Sequence, residues 1–247
     1  MSRFGPLILL LCSAARAEDA RLDALRSSLT SMRGVPADIA VGPRGATPQL
    51  TVAKHALRDW MEAGLAALPR EGDAAEFERR LNSQLRDAGL FCGETAGQQP
   101  CPDETALGFL GKLKFRRSGV FLIAQTGVGI VCGYDESAYV YSWSGEAWRR
   151  VWESEQNTYT DKAYEPQTIH SVLISPYSRT NDYLVLTLGS ASWCTSIWHT
   201  VYYRAFRLGP DLVAPPLVEG VGWTSNDPPI QGGVARSDVR RIHCSEY

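Results

Sequence analysis

The sequence predicts an α+β protein in which an N-terminal helical region precedes an antiparallel all-β region of two four-stranded units. Through residues 18–90, apolar side chains recur at three- and four-residue steps, which is typical of amphipathic helices. From about residue 109 they alternate in short β-branched and aromatic runs between glycine-bearing turns, which indicates strands. A pattern that begins at Phe121 in this second region recurs from Tyr183, which indicates a repeated unit.

Residues 1–17 form a leader that differs from the rest of the chain. Arg3 gives a positive start, an apolar run begins at residues 7–11, and small residues precede a cleavage point at Ala17. This combination is typical of a secretory signal peptide, so we expect an exported protein, either periplasmic or secreted. An N-terminal core helix and a lipid anchor at Cys12 are the alternatives. The run is shorter than the roughly 18–20 apolar residues that cross a bilayer, and no transmembrane segment is expected elsewhere.

Charge and composition restrict the class of partner. Removal of the leader takes away two arginines and no acid, which moves the formal net charge from −2 to −4. A mildly acidic chain without a basic block predicts no nucleic-acid partner. The chain has 7 Trp and 10 Tyr, and this density of aromatic residues favours a β-rich domain or a binding surface.

Three amphipathic helices are predicted within residues 18–90. Asp73 and Glu76 have the spacing of a capping box before the third helix, and Gly89 fits the position after its end. Charged residues of all three helices are assigned to solvent-facing sides. The apolar stripes that define the helices are Leu22, Leu25, Leu29 and Met32; Leu57, Trp60, Met61, Leu65 and Leu68; and Phe77, Leu81, Leu85 and Ala88.

Residues 91–108 are predicted to form a loop bracketed by two cysteines. Cys92 and Cys101 enclose eight residues rich in Gly, Gln and Pro. Because an exported protein meets an oxidising compartment, pairing is expected. A disulfide across so short a loop should stabilise the fold by roughly 2–3 kcal/mol. Two unrelated thiols are the alternative.

Residues 109–221 are predicted to be β-rich, with two related units at about 109–156 and 167–221. The runs lie too close together for parallel crossovers, so antiparallel pairing follows. Residues 222–247 are predicted to form an irregular tail. Their ending, "RRIHCSEY", resembles no regular terminal element, which leaves open that the chain is truncated.

The repeat has specific matches along its length. "FLIAQTGVGIVC" at 121–132 aligns with "YLVLTLGSASWC" at 183–194, so that Leu122 matches Leu184 at an offset of 62. Further along, the offset drifts to 63, where Tyr139 matches Tyr202. Each copy then reaches a glycine turn and a short apolar segment ending in glutamate. The shared order of strand, glycine, cysteine and strand supports two copies of one structural unit.

The cysteine in each copy is interpreted as structural. Cys194 stands five residues before His199, which raises the possibility of a nucleophile with its base. Cys132 holds the matching place, and Ser137 stands where the histidine would be. A position kept for chemistry would not need a cysteine in both copies. Cys132 and Cys194 are therefore disulfide candidates or buried thiols.

The segment "YVYSWSGEAWRRVWE" at 139–153 resembles the outer hairpin of repeats in exported bacterial β-propellers, including the FG-GAP type. The resemblance implies that each unit is a blade-like, four-stranded sheet. The chain lacks the alternating Asp and Gly run of calcium-binding repeats, the Trp-Asp signature and the kelch double glycine. Two blades cannot close a ring, since propellers carry about 4–8. A sandwich of two sheets, a fragment and an association of chains all remain open.

The aromatic residues of the β region suggest a binding surface. Tyr141, Trp143, Trp148 and Trp198 are candidates for stacking on a ligand, and Asp227 lies in the polar turn that follows. We therefore expect a non-catalytic binding or envelope-associated protein whose partner is a glycan, a peptide or an envelope component. Core packing is the alternative for each ring.

Catalytic and metal signals are weaker. No C-x-x-C motif occurs and the four histidines are scattered, so neither a metal nor a cofactor is predicted. The alternative functions are a secreted hydrolase that uses loop acids such as Asp161 and Asp227, or a fragment of a larger β-propeller. Asp135 and Glu136 are assigned to a hairpin connection as solvated charges.

Overall fold

The computed structural model describes residues 5–34, 47–92, 107–130, 133–157, 167–177, 182–191, 198–208 and 216–225. Three helices come first and two antiparallel four-stranded sheets follow them, so the predicted α+β class is confirmed.

The helices are α1 (Gly5–Arg33), α2 (Thr47–Leu65) and α3 (Ala74–Asp87). Helix α1 contains most of the leader, and cleavage after Ala17 stays a prediction. Asp73 caps α3, because its carboxylate accepts a hydrogen bond from the Ala75 amide at 2.8 Å. The predicted stripes of α2 and α3 lie in one hydrophobic core together with Leu25, Leu29 and Met32 of α1.

The first sheet is a meander of β1 (Lys114–Ser118), β2 (Phe121–Ile130), β3 (Gly133–Trp143) and β4 (Trp148–Ser154). The second sheet is a meander of β5 (Gln167–Tyr177), β6 (Asp182–Ala191), β7 (Trp198–Arg207) and β8 (Val218–Ser225). Strand β8 extends four residues into the segment predicted as an irregular tail, because Trp223 and its neighbours pair with β7.

The first sheet is the middle layer of the molecule. Because side chains alternate along a strand, Leu122 and Ala124 of β2 point into the core formed with the helices. Phe121 and Ile123 point to the opposite face and join a second core with residues of the second sheet. The second sheet contributes Ile169, Val172, Val185 and Phe206 to that core.

The two sheets meet through the same face of the repeat. Phe121 and Tyr183 occupy equivalent positions in the two copies, and their rings contact edge to face with centroids 4.8 Å apart. Trp152 and Phe206 form a second aromatic contact across this interface, at 5.3 Å. The related units therefore pack face to face, as the layers of a sandwich do. The resemblance to propeller repeats stays a prediction.

Strand pairing corrects one part of the repeat alignment. Tyr139 pairs with Ala124, and the residue equivalent to Ala124 in the second copy is Leu186, which pairs with Ala205. Tyr139 therefore corresponds to Ala205, and its predicted match with Tyr202 is wrong. The reason is that the connection between β6 and β7 is longer than the connection between β2 and β3.

Candidate functional site

Two of the aromatic residues predicted to bind a ligand are core residues. Tyr141 is buried beneath α2, where its hydroxyl donates a hydrogen bond to Glu62 Oε1 at 3.1 Å. Trp148 is buried as well, and its Nε1 donates to the Leu68 carbonyl at 3.1 Å. Rings that are covered in this way cannot stack on a ligand from solvent, so both assignments are wrong. The cause is that the helices cover the face of the first sheet on which these rings lie.

The other candidates have different outcomes. Trp143 is half-buried and contacts Trp148 edge to face at 5.5 Å, so it extends the same core. Trp198 begins β7, but its side chain lies outside the described residues, as do Asp161 and Asp227. These three stay predictions.

The cysteine predictions are tested at one position. Cys92 is disulfide-bonded, which agrees with the expected oxidised state. Its predicted partner, Cys101, lies outside the described residues, and so do Cys132 and Cys194. The pairing of Cys92 with Cys101 therefore stays a prediction.

The sequence analysis missed a group of charged side chains between α2 and the first sheet, here named the buried polar cluster. Its members are Lys54 and Arg58 of α2, Asp135 and Tyr139 of β3, and Glu155, which follows β4. One signal in the sequence does point to it. Lys54 lies three residues before Leu57 and seven before Met61, so it falls on the apolar stripe of α2.

The ion pair of Lys54 and Asp135 is fully enclosed. Its N–O distance is 3.1 Å, and the two side chains are 1% and 0% exposed. Lys54 Nζ also donates to the Gln156 carbonyl at 2.6 Å, and Asp135 Oδ1 accepts from the Gln167 amide at 3.2 Å. The pair therefore ties the end of the first sheet to the start of the second.

Asp135 and Glu136 were predicted to be solvated charges in a hairpin connection, and this prediction is wrong. Both residues belong to β3, since that strand begins at Gly133. Glu136 Oε2 accepts a hydrogen bond from the Ile169 amide at 2.6 Å. Burial raises the pKa of Glu136 above its ordinary value, although this hydrogen bond acts in the opposite direction.

Glu155 is the second centre of the buried polar cluster. Its carboxylate accepts hydrogen bonds from the Tyr139 hydroxyl and, at 3.0 Å, from Arg58, while His55 Nε2 lies 3.1 Å away. Burial alone would raise the pKa of Glu155, but the hydrogen bond from Tyr139 and the charge of Arg58 outweigh it and lower that pKa. Burial, together with the charge of Glu155, raises the pKa of Tyr139 well above its ordinary value.

The buried polar cluster orders the chain and presents little to a substrate. A general acid or base must come within hydrogen-bond reach of the reacting group. The side chains of Lys54, Asp135 and Glu155 are enclosed, while that of His55 is 43% exposed. Buried charges that are paired and hydrogen-bonded in this way hold elements in one arrangement. Their role here is to fix α2, the first sheet and the start of β5 relative to one another.

Two clefts are lined by described residues. One, of about 380 Å³, lies between the three helices and is lined by Leu22, Trp60 and Gln84 among others. Another, of about 160 Å³, lies beside β2 and includes Lys114 and Glu136. Across the described residues, no group of three or more His, Cys, Asp or Glu side chains is placed to hold a metal ion.

Among the described residues, a group of neighbouring exposed apolar side chains lies on the side of the second sheet that faces away from the first. Four large side chains there are exposed: Leu173 by 53%, Leu186 by 36%, Leu188 by 43% and Tyr203 by 39%. Leu173 pairs with Leu186, and Leu188 pairs with Tyr203, so the four are direct neighbours on three adjacent strands. We name this surface the open face.

The ends of the open face are polar and its middle is apolar. His170 hydrogen bonds to Ser190 at 2.9 Å near one end. At the other end, Arg207 of β7 lies opposite Leu184 of β6 in the strand register. Between them, the described side chains of this face are those of Leu, Val, Ala, Ser and Tyr. A mainly apolar area with polar ends, bordered by Ser171 and Ser175 of β5, therefore faces solvent.

The sequence of β6 contains the signal for this surface. In "YLVLTLG", Leu184, Leu186 and Leu188 lie on one face, while Val185 lies on the other. A strand that is apolar on both faces is typical of a sheet covered on both sides. The structure covers the side of Val185, leaves Leu186 and Leu188 exposed and leaves Leu184 partly buried.

Comparison of the chain with protein-family models, curated proteins and solved structures found no match. Within the described ranges, none of the helices combines the length and apolar character that crossing a bilayer requires.

Proposed function

We propose that this protein is a non-catalytic binding module and that a partner protein docks reversibly on the open face. The observation that carries the proposal is the row of exposed leucines at Leu173, Leu186 and Leu188. Exposed apolar side chains are ordinary when they are scattered, but a contiguous patch marks an interaction site.

The size of the open face fits a reversible contact. The exposed side chains lie on three strands about 4.8 Å apart, which over about 20 Å of their length give a flat area of about 300 Å². Apolar patches of roughly 300–600 Å² on monomers are often functional. Covering this one would bury about 600 Å² from both partners, which is below the roughly 1,200–2,000 Å² of stable complexes.

The chemistry of the open face favours a protein over a glycan. Sugar binding relies on aromatic rings, and Tyr203 is the aromatic residue among the exposed side chains that define this face. Leucines in adjacent rows instead match apolar side chains of a polypeptide. If the predicted signal peptide is cleaved, the partner is a periplasmic, secreted or envelope protein.

The proposal is tested by placing a photo-crosslinking amino acid at Leu188 of the full chain in its native host. We expect one heteromeric adduct of discrete mass that disappears when Leu186→Asp is added. The matched control carries the crosslinker at Val120, which is 54% exposed in the turn between β1 and β2. Equal adducts at both positions, or none at Leu188, would reject the proposal. A homodimeric adduct alone would also reject it.

A further inference from the structure

We propose that the segment which docks on the open face is an amphipathic α-helix. This inference rests on the proposed function and names the class of partner. It comes from the internal repeat, because the first unit shows what covers the equivalent face.

The open face corresponds to the helix-covered face of the first sheet. In the repeat alignment, Leu184 and Leu186 are equivalent to Leu122 and Ala124. Leu122 and Ala124 are fully buried in the core that the first sheet forms with the helices. The same surface of the repeat is thus covered by helices in one unit, whereas in the other Leu186 is exposed and Leu184 is partly buried.

The covering helices show the pattern that a partner needs. Helix α2 lies over β2 and α3 lies over β1. Helix α2 contributes Leu57, Trp60 and Met61 to the shared core, at the three- and four-residue spacing of one helix face. One helix about 10 Å in diameter matches the roughly 10 Å between β5 and β7, the outer two of the three strands that carry the exposed side chains.

A helix also fits the open face better than the other occupants do. A docking strand would need a free sheet edge for its backbone hydrogen bonds, whereas a helix satisfies most of its own and can lie on a face. A second copy would bring another sheet face to this one, whereas the equivalent face of the first unit is covered by helices.

The experiment uses a fluorescent peptide of residues 47–65, the sequence of α2, and the full-length protein. The peptide alone is marginally helical in water, so binding should be accompanied by a gain of helical circular dichroism. We expect saturable binding that Leu188→Asp weakens at least tenfold. Val120→Asp is the matched control and should change the affinity less than twofold. A peptide with Ala56→Pro should bind at least tenfold more weakly, because proline breaks the helix.

The outcomes distinguish the proposal that the docking segment is a helix from the proposal that the open face is the docking surface. Equal binding of the parent and Ala56→Pro peptides, both lost in Leu188→Asp, would overturn the helix and keep the open face as a docking surface. Absence of binding, or binding that Leu188→Asp leaves unchanged, would overturn the helix, and the crosslinking experiment then decides the proposed function. A homodimer that Leu188→Asp dissociates would make a second copy the occupant and would overturn both proposals.

Discussion

In the part of the chain that the structure describes, the first sheet is covered on both faces, whereas the second sheet is covered on one. Leu122 and Ala124 of β2 are fully buried, while Leu186, the equivalent of Ala124 in β6, is 36% exposed. The two strands have similar apolar sequences, so the difference comes from their neighbours. Burial of a large apolar side chain contributes about 1.5–3 kcal/mol. Stability is therefore concentrated in the helices and the first sheet, and the second sheet retains apolar surface for binding.

The two sheets also differ in how they use charge. The first sheet shares the enclosed ion pair of Lys54 and Asp135 with α2. The second sheet carries Arg204 and Glu219, which pair at 2.6 Å with side chains 33% and 44% exposed. Exposed pairs contribute about 0–1 kcal/mol, whereas removal of one partner from a buried pair costs about 3–5 kcal/mol. Substitutions in the two pairs should therefore have unequal effects.

The largest effect is expected for Lys54→Met. It leaves the Asp135 carboxylate enclosed without its cation and should lower the free energy of unfolding by about 3–5 kcal/mol. Urea denaturation followed by tryptophan fluorescence measures this change. Arg204→Met is the control in the second sheet and should cost less than about 1 kcal/mol.

The double variant Lys54→Met, Asp135→Leu sharpens this result. Replacing both charges by apolar groups should restore part of the lost stability, since no buried charge is then left unpaired. Recovery should be incomplete, because the Gln167 amide loses its acceptor. If Lys54→Met and Arg204→Met lowered the free energy of unfolding equally, the predicted difference between the buried and the exposed ion pair would be contradicted.

The next effect compares leucines in the equivalent strands. Leu122→Ala creates a cavity in a closed core and should cost about 2–5 kcal/mol. Leu186→Ala removes a side chain that already contacts water and should cost less than about 1 kcal/mol. Thermal and urea unfolding of both variants test the pair. Similar losses would show that the open face is covered in the free protein.

Glu155→Gln should have an intermediate effect that depends on pH. The folded-state pKa of Glu155 is lowered, so its ionised form adds stability that is fully present above the unfolded pKa. This contribution is lost as the pH falls through the folded pKa. We expect a cost of about 2 kcal/mol at pH 7, from the lost charged hydrogen bonds.

Stability measured from pH 7 down to pH 3 tests this linkage. The difference between Glu155→Gln and the parent should shrink as the pH falls through the lowered folded-state pKa of Glu155, where the parent carboxylate becomes protonated. The raised pKa of Glu136 makes stability depend on pH in the opposite sense to Glu155. It does so equally in both proteins, so it cancels when their free energies of unfolding are subtracted. A difference that is constant across this range would contradict the lowered pKa of Glu155.

The smallest effect is expected for Leu188→Thr on the open face. A surface substitution outside caps, cores and networks usually changes stability by less than about 0.5 kcal/mol. Threonine also suits a strand. The melting temperature should therefore stay close to that of the parent while docking is weakened. Truncation of a core leucine costs about 2 kcal/mol or more. If Leu188→Thr lowered the free energy of unfolding by that much, Leu188 would be part of a core.

Particular residues show how far sequence patterns carried. The apolar stripe of α3, with Phe77, Leu81 and Leu85, was predicted and is buried, because helix periodicity is a local property. Tyr141 and Trp148 were assigned to a surface and are buried. Alternation separates the two faces of a strand but does not tell which face a helix will cover.

Contacts between residues far apart in the chain also could not be predicted from sequence patterns. Lys54 and Asp135 are far apart in the chain, and their pairing follows only when α2 lies across β3. Asp135 alone has the character of a turn residue, since Asp is common in turns. Its burial depends on the helix above it, and its role changes from a solvated charge to half of an ion pair.

The sequence by itself determined the order of helices and strands and the repeat. These features follow from local patterns, namely the helical period, the strand period and the recurrence of one segment. Only the tertiary structure decided which faces are covered. Burial depends on which layers meet, and two strands with similar apolar patterns receive different neighbours. The helices cover the first sheet and leave the equivalent face of the second exposed. That choice places the open face, and with it the proposed function, on the second unit.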